Sequence, residues 1–294
     1  MYNYEEASLI NISDFKVNSG TVNNFISWKH SVNEKIDIVA GLHNMNILTI
    51  NRSTIEPRLS VSWKINKTST VHSGYGMHST LESIHNYYAK VQENDGTYFE
   101  PNRNLGLLKA HHFVLGYEKH FTENLMGKVE VYYQSLYNLP VENNDTSYYA
   151  TINEGIDYRY VELVNKGIGE NYGLEISIER FFDKNFYFLL NGSLFDSKYK
   201  SIEGIWRNTR YNNNYIVNIL CGKEFKNLGR KQNQILALNT RVFFEGGERY
   251  IPLIRDTQGN VAVEPQEDKY FDYSKAYNNK LDNIFRLNLS VSYK

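Results

Sequence analysis

RLSVSWKIN, residues Arg58 to Asn66, parts into two faces without an exception: Leu59, Val61, Trp63 and Ile65 on one, and Arg58, Ser60, Ser62, Lys64 and Asn66 on the other. Side chains of an extended strand point to opposite sides with period 2, so this stretch reads as a strand with one apolar and one polar face. Working outward, the split recurs at Lys35–His43, with Ile36, Ile38, Ala40 and Leu42 against Asp37, Val39, Gly41 and His43. It recurs at Tyr172–Phe182, with Tyr172, Leu174, Ile176 and Ile178 against Gly173, Glu175, Ser177 and Glu179. Gln234–Phe244 sets Leu236, Leu238, Val242 and Phe244 against Asn239 and Arg241, and the final segment sets Phe285, Leu287, Leu289, Val291 and Tyr293 against Arg286, Asn288, Ser290, Ser292 and Lys294. An antiparallel sandwich also alternates, so alternation alone does not choose between a soluble and a membrane sheet.

The spacing of the segments and the marking of their ends make the choice. Eleven alternating segments are joined by short turns at Ser31–Glu34, Asn66–Ser69, Thr122–Asn124, Asp183–Asn185 and Lys226–Gln232, and by long polar loops at about 44–57, 79–110, 138–171, 199–213 and 246–283. Short turns at one end, long loops at the other and strands of roughly 10 residues with apolar-out, polar-in alternation describe an outer-membrane β-barrel. Each strand running toward a short turn carries an aromatic near it on the apolar face: Trp28, Trp63, Phe121, Phe182 and Phe225. Lys119, Arg180 and Lys223 stand two residues earlier on the same face, where a long side chain can snorkel its charge to lipid headgroups. The expected fold is therefore all-β, an antiparallel transmembrane barrel or part of one, with residues 1–294 as a single barrel domain.

Composition works by exclusion. No apolar run approaches the ~20 residues that a spanning helix needs. The 32 basic and 33 acidic residues nearly cancel, which leaves no footprint for nucleic acid and no basic run for anionic lipid. The lone Cys221 shares an outward row with Val217 and Ile219 and reads as a small apolar residue. Pro57, Pro101, Pro140, Pro252 and Pro265 are expected in loops or at strand edges, where they leave the ladders intact. Met1–Ile10 lacks the basic and apolar regions of a signal peptide, and eleven strands is an odd number where single-chain bacterial barrels have even ones, so these residues are expected to be a piece of a longer chain.

The wording of the strands also resembles a known family. EPRLSVSWKIN (Glu56–Asn66), GYGMHS (Gly74–Ser79), HHFVLGYEKHF (His111–Phe121), KVEVYYQSLYNLPV (Lys128–Val141), NKGIGENYGLEISIERFF (Asn165–Phe182), FYFLLNGSLFDSKYK (Phe186–Lys200), RNT (Arg207–Thr209), GKEF (Gly222–Phe225) and the GG-x-R-x-x-P of Gly246–Pro252 follow one another as in the C-terminal half of TonB-dependent receptors from Bacteroidetes, of the type that carries a carboxypeptidase-like regulatory domain. The resemblance runs from about residue 20 onward. It implies about 11 strands of a 22-stranded, plugged outer-membrane barrel. It further implies import of a scarce nutrient (an iron chelate, oligosaccharide, peptide or other metal complex), energised by the TonB complex through an N-terminal part and aided in some members by a surface lipoprotein. Plug, TonB-contacting segment, regulatory domain and a final strand with a terminal aromatic have no counterpart in the sequence. A non-transporting β-rich surface or adhesion protein, or a receptor remnant without function, is the alternative.

No catalytic constellation assembles. Gly167-Ile168-Gly169 with Gly173 has the glycines of a dinucleotide loop, but Leu174–Phe182 alternates as a strand, so a loop returning into a strand is expected. Glu118, Glu130, Glu175 and Glu179, with Lys128, fall on the polar face, where a water-filled or plugged lumen needs charge. Among eight histidines only His78 and His112 can converge, without a metal-binding companion set. Asp95-Gly96 fits a loop turn, and Asn191-Gly192 suggests a kink within a strand. No enzyme activity, cofactor or metal is expected. Ligand recognition is expected in the long loops: Tyr87, Tyr88, Tyr98 and Phe99 in the second, Tyr148, Tyr149, Tyr158 and Tyr160 in the third, Trp206 and Arg207 in the fourth, and Arg249 and Arg255 in the fifth. Aromatics can stack on sugars or flat chelates and arginines can pair with anionic groups; packing of the loops against one another is the competing reading.

Overall fold

A computed structural model describes residues 15–93, 95–155, 159–261 and 270–294. Its strands are β1 (Thr21–Ser31), β2 (Ile36–Ile47), β3 (Arg52–Asn66), β4 (Ser69–Thr80), β5 (Val91–Gln92), β6 (Tyr98–Phe99), β7 (Leu108–Thr122), β8 (Leu125–Glu142), β9 (Leu163–Asp183), β10 (Phe186–Lys200), β11 (Trp206–Asn208), β12 (Tyr215–Leu228), β13 (Gln234–Glu245), β14 (Arg249–Tyr250), β15 (Asn279–Lys280) and β16 (Ile284–Tyr293). One antiparallel meander runs β1-β2-β3-β4-β7-β8-β9-β10-β12-β13-β16, with β11 paired to the end of β10. Each long strand pairs with its neighbour in sequence, as short turns on one side and self-contained loops on the other require.

Register turns the alternation of each strand into two continuous surfaces. Ile38, Val61, Ser73, Leu115, Val131, Leu174, Leu194 and Tyr215 are successive cross-strand partners on one face. Asp37, Ser62, His72, Gly116, Glu130, Glu175, Ser193 and Ile216 are partners on the other. The apolar row begins beside the short turn in β2 and reaches the loop end of β12. That climb is the stagger by which tilted strands close a barrel. The apolar face is open to its surroundings: Trp28, Trp63, Phe121, Phe182 and Phe225 are all exposed at the turn end, as the sequence predicts.

A second aromatic girdle, not anticipated from the sequence, closes the band at the loop end. Tyr75 stacks on His111 and packs on Phe113, His111 stacks on Tyr137, and Tyr215 packs on Phe244. From Tyr172 to Phe182 an apolar strand face spans ten steps of ~3.3 Å, which at a tilt of about 40° gives roughly 25 Å, the height of a lipid-facing band.

Five expectations need correction. The first loop is four residues, 48–51, because Asn44, Met45 and Asn46 stay in register with Ile55, Thr54 and Ser53 and the Asn44 amide donates to the Thr54 carbonyl at 2.8 Å. The third loop shrinks to 143–162, because β8 and β9 continue past the band. Gly167 and Gly169 accordingly sit inside β9, not in a loop, and a Cβ on Gly167 would fall 2.5 Å from Val141 Cγ1. Pro57 and Pro140 lie within strands. Pairing of β3 to β4 stops at Arg58, beside Pro57, and Pro140 is the residue skipped at the Leu139/Val141 register shift, so neither has to donate to a ladder partner. β10 runs unbroken through Asn191-Gly192, which pair on both sides, so there is no kink there.

The two faces must differ in tolerance. In the membrane-inserted protein Leu174→Arg or Val61→Arg is expected to cost about 2–4 kcal/mol and to block heat-modifiable assembly, whereas Ser177→Arg and Ser62→Arg assemble normally. Equal behaviour of the two pairs in an assembly assay would contradict the assignment of faces.

Candidate ligand-binding site

A wall one strand thick has no interior, and its fully buried side chains gather instead in the loops. One cluster joins Leu139, Val141, Tyr148, Ala150, Tyr199, Ala276 and Tyr277; the other joins Tyr87, Tyr88, Leu105, Tyr149 and Leu163. The first ties the ends of β8 and β10 to the third and fifth loops. The second ties the second loop to the third. Hydrogen bonds lock the arrangement: Tyr199 donates to the Tyr148 carbonyl at 2.7 Å, Asn102 Nδ2 donates to the Val161 carbonyl at 2.9 Å, and the Leu163 amide donates to Asn102 Oδ1 at 2.8 Å.

The residues expected to meet a ligand divide sharply on this platform. Tyr87 is 0% exposed, and Tyr148 and Tyr149 are also buried; Tyr148 stacks on Tyr273 and Tyr149 donates to Glu154. Tyr88 carries the Arg103 guanidinium 3.6 Å above its ring. Arg207 is buried in an ion pair with Glu203 and donates to the Ser274 carbonyl at 2.9 Å. Arg249 donates to the Asn212 carbonyl and to Asn214 Oδ1, fastening the fourth loop to the fifth. Arg255 is exposed and donates to the Gly259 carbonyl in its own turn. Tyr98 and Phe99 are each 38% exposed on the β5–β6 hairpin, Trp206 is 44% exposed with Lys200 Nζ 5.4 Å from its ring, and Tyr160 is half-buried. Tyr158 lies outside the described residues.

Sequence reasoning missed several members of the platform. Tyr211 is exposed at 45%, donates to the Glu154 carbonyl and lies under Arg210. The Arg159 guanidinium sits 5.2 to 5.7 Å from the rings of Tyr148, Tyr149 and Tyr273. The spacing of Tyr273 and Tyr277 was a visible signal, but only the fold shows that both meet the third loop.

On the polar face the acids stand where the alternation puts them. Lys128 pairs with Glu130 at 2.7 Å, and Glu130 lies directly across from Glu175. His43 Nδ1 and Arg58 both reach Glu56, at 2.9 and 3.4 Å, so charges in the wall neutralise one another. His78 and His112 do converge, with ring centroids 6.2 Å apart. Among the described residues no group of three or more His, Cys, Asp or Glu comes together that could hold a metal.

Among the described carboxyl groups the most displaced is in the loops. Burial, together with the neighbouring Glu154 charge, pushes the Glu82 carboxyl up to about 7, and burial raises Glu154 as well. Burial also pushes the Tyr87 hydroxyl up to about 12. A carboxyl raised on folding stabilises the folded form fully below its unfolded value, and this contribution is lost as pH rises through the folded value. Amide exchange in residues 81–107, measured in chelator-treated buffer, should therefore accelerate from about pH 5 to pH 7 beyond the intrinsic base-catalysed rise and level off above about pH 7. Glu82→Gln should abolish the excess; an equal excess in the variant would mean that another group is responsible.

Comparison with known proteins agrees with this geometry. The family model for the TonB dependent receptor-like β-barrel matches residues 11–294. In fold the chain is similar to the ferric yersiniabactin uptake receptor FyuA from Yersinia pestis, at 12% identity and a TM-score of 0.60, over 93% of this chain and 38% of that one. It is similar to the pyoverdine outer membrane receptor FpvA from Pseudomonas aeruginosa, at 9% identity and a TM-score of 0.59, over 92% of this chain and 35% of that one. A third similar structure is the FrpB iron transporter from Neisseria meningitidis (F5-1 variant), at 11% identity and a TM-score of 0.57, over 95% of this chain and 40% of that one. The chain thus spans less than half the length of these receptors. No curated protein matches it.

Proposed function

The chain belongs to the TonB-dependent receptor family as a β-barrel domain, and from that premise we propose that it forms one part of the wall, and one part of the ligand-binding mouth, of an outer-membrane nutrient importer. The observation that carries this reading is the two-sided sheet bounded by aromatic girdles, with every long loop gathered at one end into a packed platform. A channel wall needs the first. Capture of a ligand needs the second, because a rigid scaffold lets loops present side chains without paying again for their order.

The loop face supports a ligand recognised by stacking and by cations. Tyr98, Phe99, Trp206 and Tyr211 leave ring faces open, while Lys200 stands over Trp206 and Arg210 over Tyr211. Tyr87, Tyr148, Tyr149, Arg207 and Arg249 hold that surface from below. Anionic ferric chelates that carry aromatic rings fit such a surface, and the similar structures include siderophore and iron receptors. Oligosaccharides, peptides and other metal complexes are further candidates. Energy from the TonB complex would enter through parts of the receptor outside this chain. The strand motifs support a receptor of the Bacteroidetes kind, with a carboxypeptidase-like regulatory domain and a surface lipoprotein as partner.

Uptake by cells carrying the whole receptor tests the proposal. A panel of labelled ferric siderophores, oligosaccharides and peptides should yield one class that is imported in a TonB-dependent way. Trp206→Ala should weaken binding of that class about threefold to tenfold, the worth of one aromatic stack, without changing receptor abundance. Import that ignores both TonB and Trp206 would remove the proposal.

A further inference from the structure

We propose that the polar face of the wall, near the loop end of β3, β4 and β7, holds an oxyanion, a carboxylate or phosphate group of the imported ligand, between Arg58, His78 and His112. The proposal rests on the importer reading for its ligand and on the wall itself for its site.

Register brings the three side chains together. Gly41, Arg58, Gly76 and His112 are successive partners across β2, β3, β4 and β7. Arg58 therefore has a glycine on either side, and His112 follows two strand spacings away, about 10 Å. The ring of His78 folds back over the intervening Gly76, with Nε2 2.8 Å from where a Cβ on that glycine would stand. Its centroid is 6.2 Å from that of His112. All three residues line one cavity of about 410 Å³, together with Ser27 and Ser60. Gly74 lines it too, and a Cβ there would meet nothing within 4 Å. Packing does not demand a glycine at that position; what the missing side chain leaves is space.

The cavity suits negative charge. Among the described residues no carboxylate lines it. Glu56, which Arg58 reaches with Nη2 at 3.4 Å, has a side chain only 3% exposed and is held by His43 at 2.9 Å and Thr54 at 3.2 Å. The Arg58 side chain stays 49% exposed. A guanidinium fork matches carboxylate or phosphate, each imidazole can add an N–H, and the serines add hydroxyls. Two imidazoles beside a guanidinium disfavour a metal ion, so the histidine pair that lacks companions for a metal is well placed for an anion.

His112 and Val114 also line the adjoining cavity, whose wall holds Gln134, Asn171, Ser197 and Tyr211. Asn171 donates to Gln134 at 3.0 Å and Ser197 donates to Asn171 at 2.6 Å, so amides and hydroxyls stand there already ordered. A ligand whose acidic end is held at Arg58 can lay a hydroxyl- or amide-bearing body along this wall, up to the Tyr211 ring of the loop platform. The ligand class is thus an elongated polar molecule with an acidic end.

Fluorine NMR of 4-fluorobenzoate with the whole receptor in detergent tests the site, with neutral 4-fluorobenzamide as its isostere. The carboxylate should bind saturably and the amide should not. Arg58→Gln, and Gly74→Val, which fills the cavity, should each weaken binding at least fivefold. Lys128→Gln, a cation of the same face paired with Glu130 outside the cavity, should leave it unchanged. Displacement by inorganic phosphate would assign the site to oxyanions of both kinds, and resistance to it would assign the site to carboxylates. Equal binding of acid and amide, or full binding in both Arg58→Gln and Gly74→Val, overturns the proposal. Should Arg58→Gln fail to assemble, Gly74→Val and the acid–amide comparison decide. Binding in detergent needs no TonB, so failure here alongside TonB-dependent uptake removes this site alone.

Discussion

In a medium without water, a backbone N–H or C=O that lacks a partner costs several kcal/mol, and the whole wall follows from that. Every long strand is paired to its neighbour in sequence, and the irregularities avoid the lipid-facing band. Register shifts occur at Lys64/Asn66, His120/Thr122, Phe186/Phe188 and Phe225/Leu228, all at the short-turn end. The remaining two, around Leu139, lie where β8 has already risen beyond the loop-end girdle. Bulges and left-handed residues such as Asn138, Lys184 and Asn227 are placed where water can meet the groups they release.

Once the ladder satisfies the backbone, apolar burial is free for two other tasks. On the strands it faces outward, toward lipid. In the loops it does what it does in any soluble domain, and tyrosine is the main agent: Tyr87, Tyr148, Tyr149, Tyr199 and Tyr277 are buried there. Each brings a large apolar face and a hydroxyl that can meet a carboxylate or carbonyl, which suits junctions between chain segments rich in unpaired polar backbone. The loops are therefore a second structural layer with its own cores, carried on top of a sheet that has none.

Much of the wall was legible in the sequence, since a period-2 pattern such as Leu59, Val61, Trp63 and Ile65 shows both the strand and its outward face. Strand ends beyond the lipid were not, because there both faces are polar: Asn44 and Asn46 look like loop residues until the Asn44 amide is seen bridging to Ser53 and Thr54 of β3, with the Asn46 amide donating to Asn44 beside it. The loop-end girdle escaped for a related reason. Tyr75, His111 and Tyr137 come from three strands whose mutual register cannot be read from one segment at a time. In the loops, residue type was visible and burial was not, so Tyr87 and Trp206 looked alike although one supports the platform and the other is its surface. The Glu82 and Glu154 pair, 72 positions apart in the chain, carried no local signature at all.

The strict spreading of apolar residues, one position in two, has a consequence for how such a chain reaches its membrane. A helix enters a bilayer because some 20 consecutive residues are apolar, and the machinery that exports proteins recognises and retains such a run. Here the same total of lipid-facing surface is divided into alternate positions on ten or more strands, and no segment presents it until the strands pair. Until then such a polypeptide can stay in water as an ordinary polar chain. Its affinity for lipid comes into existence only with the sheet, so that folding and insertion are one event.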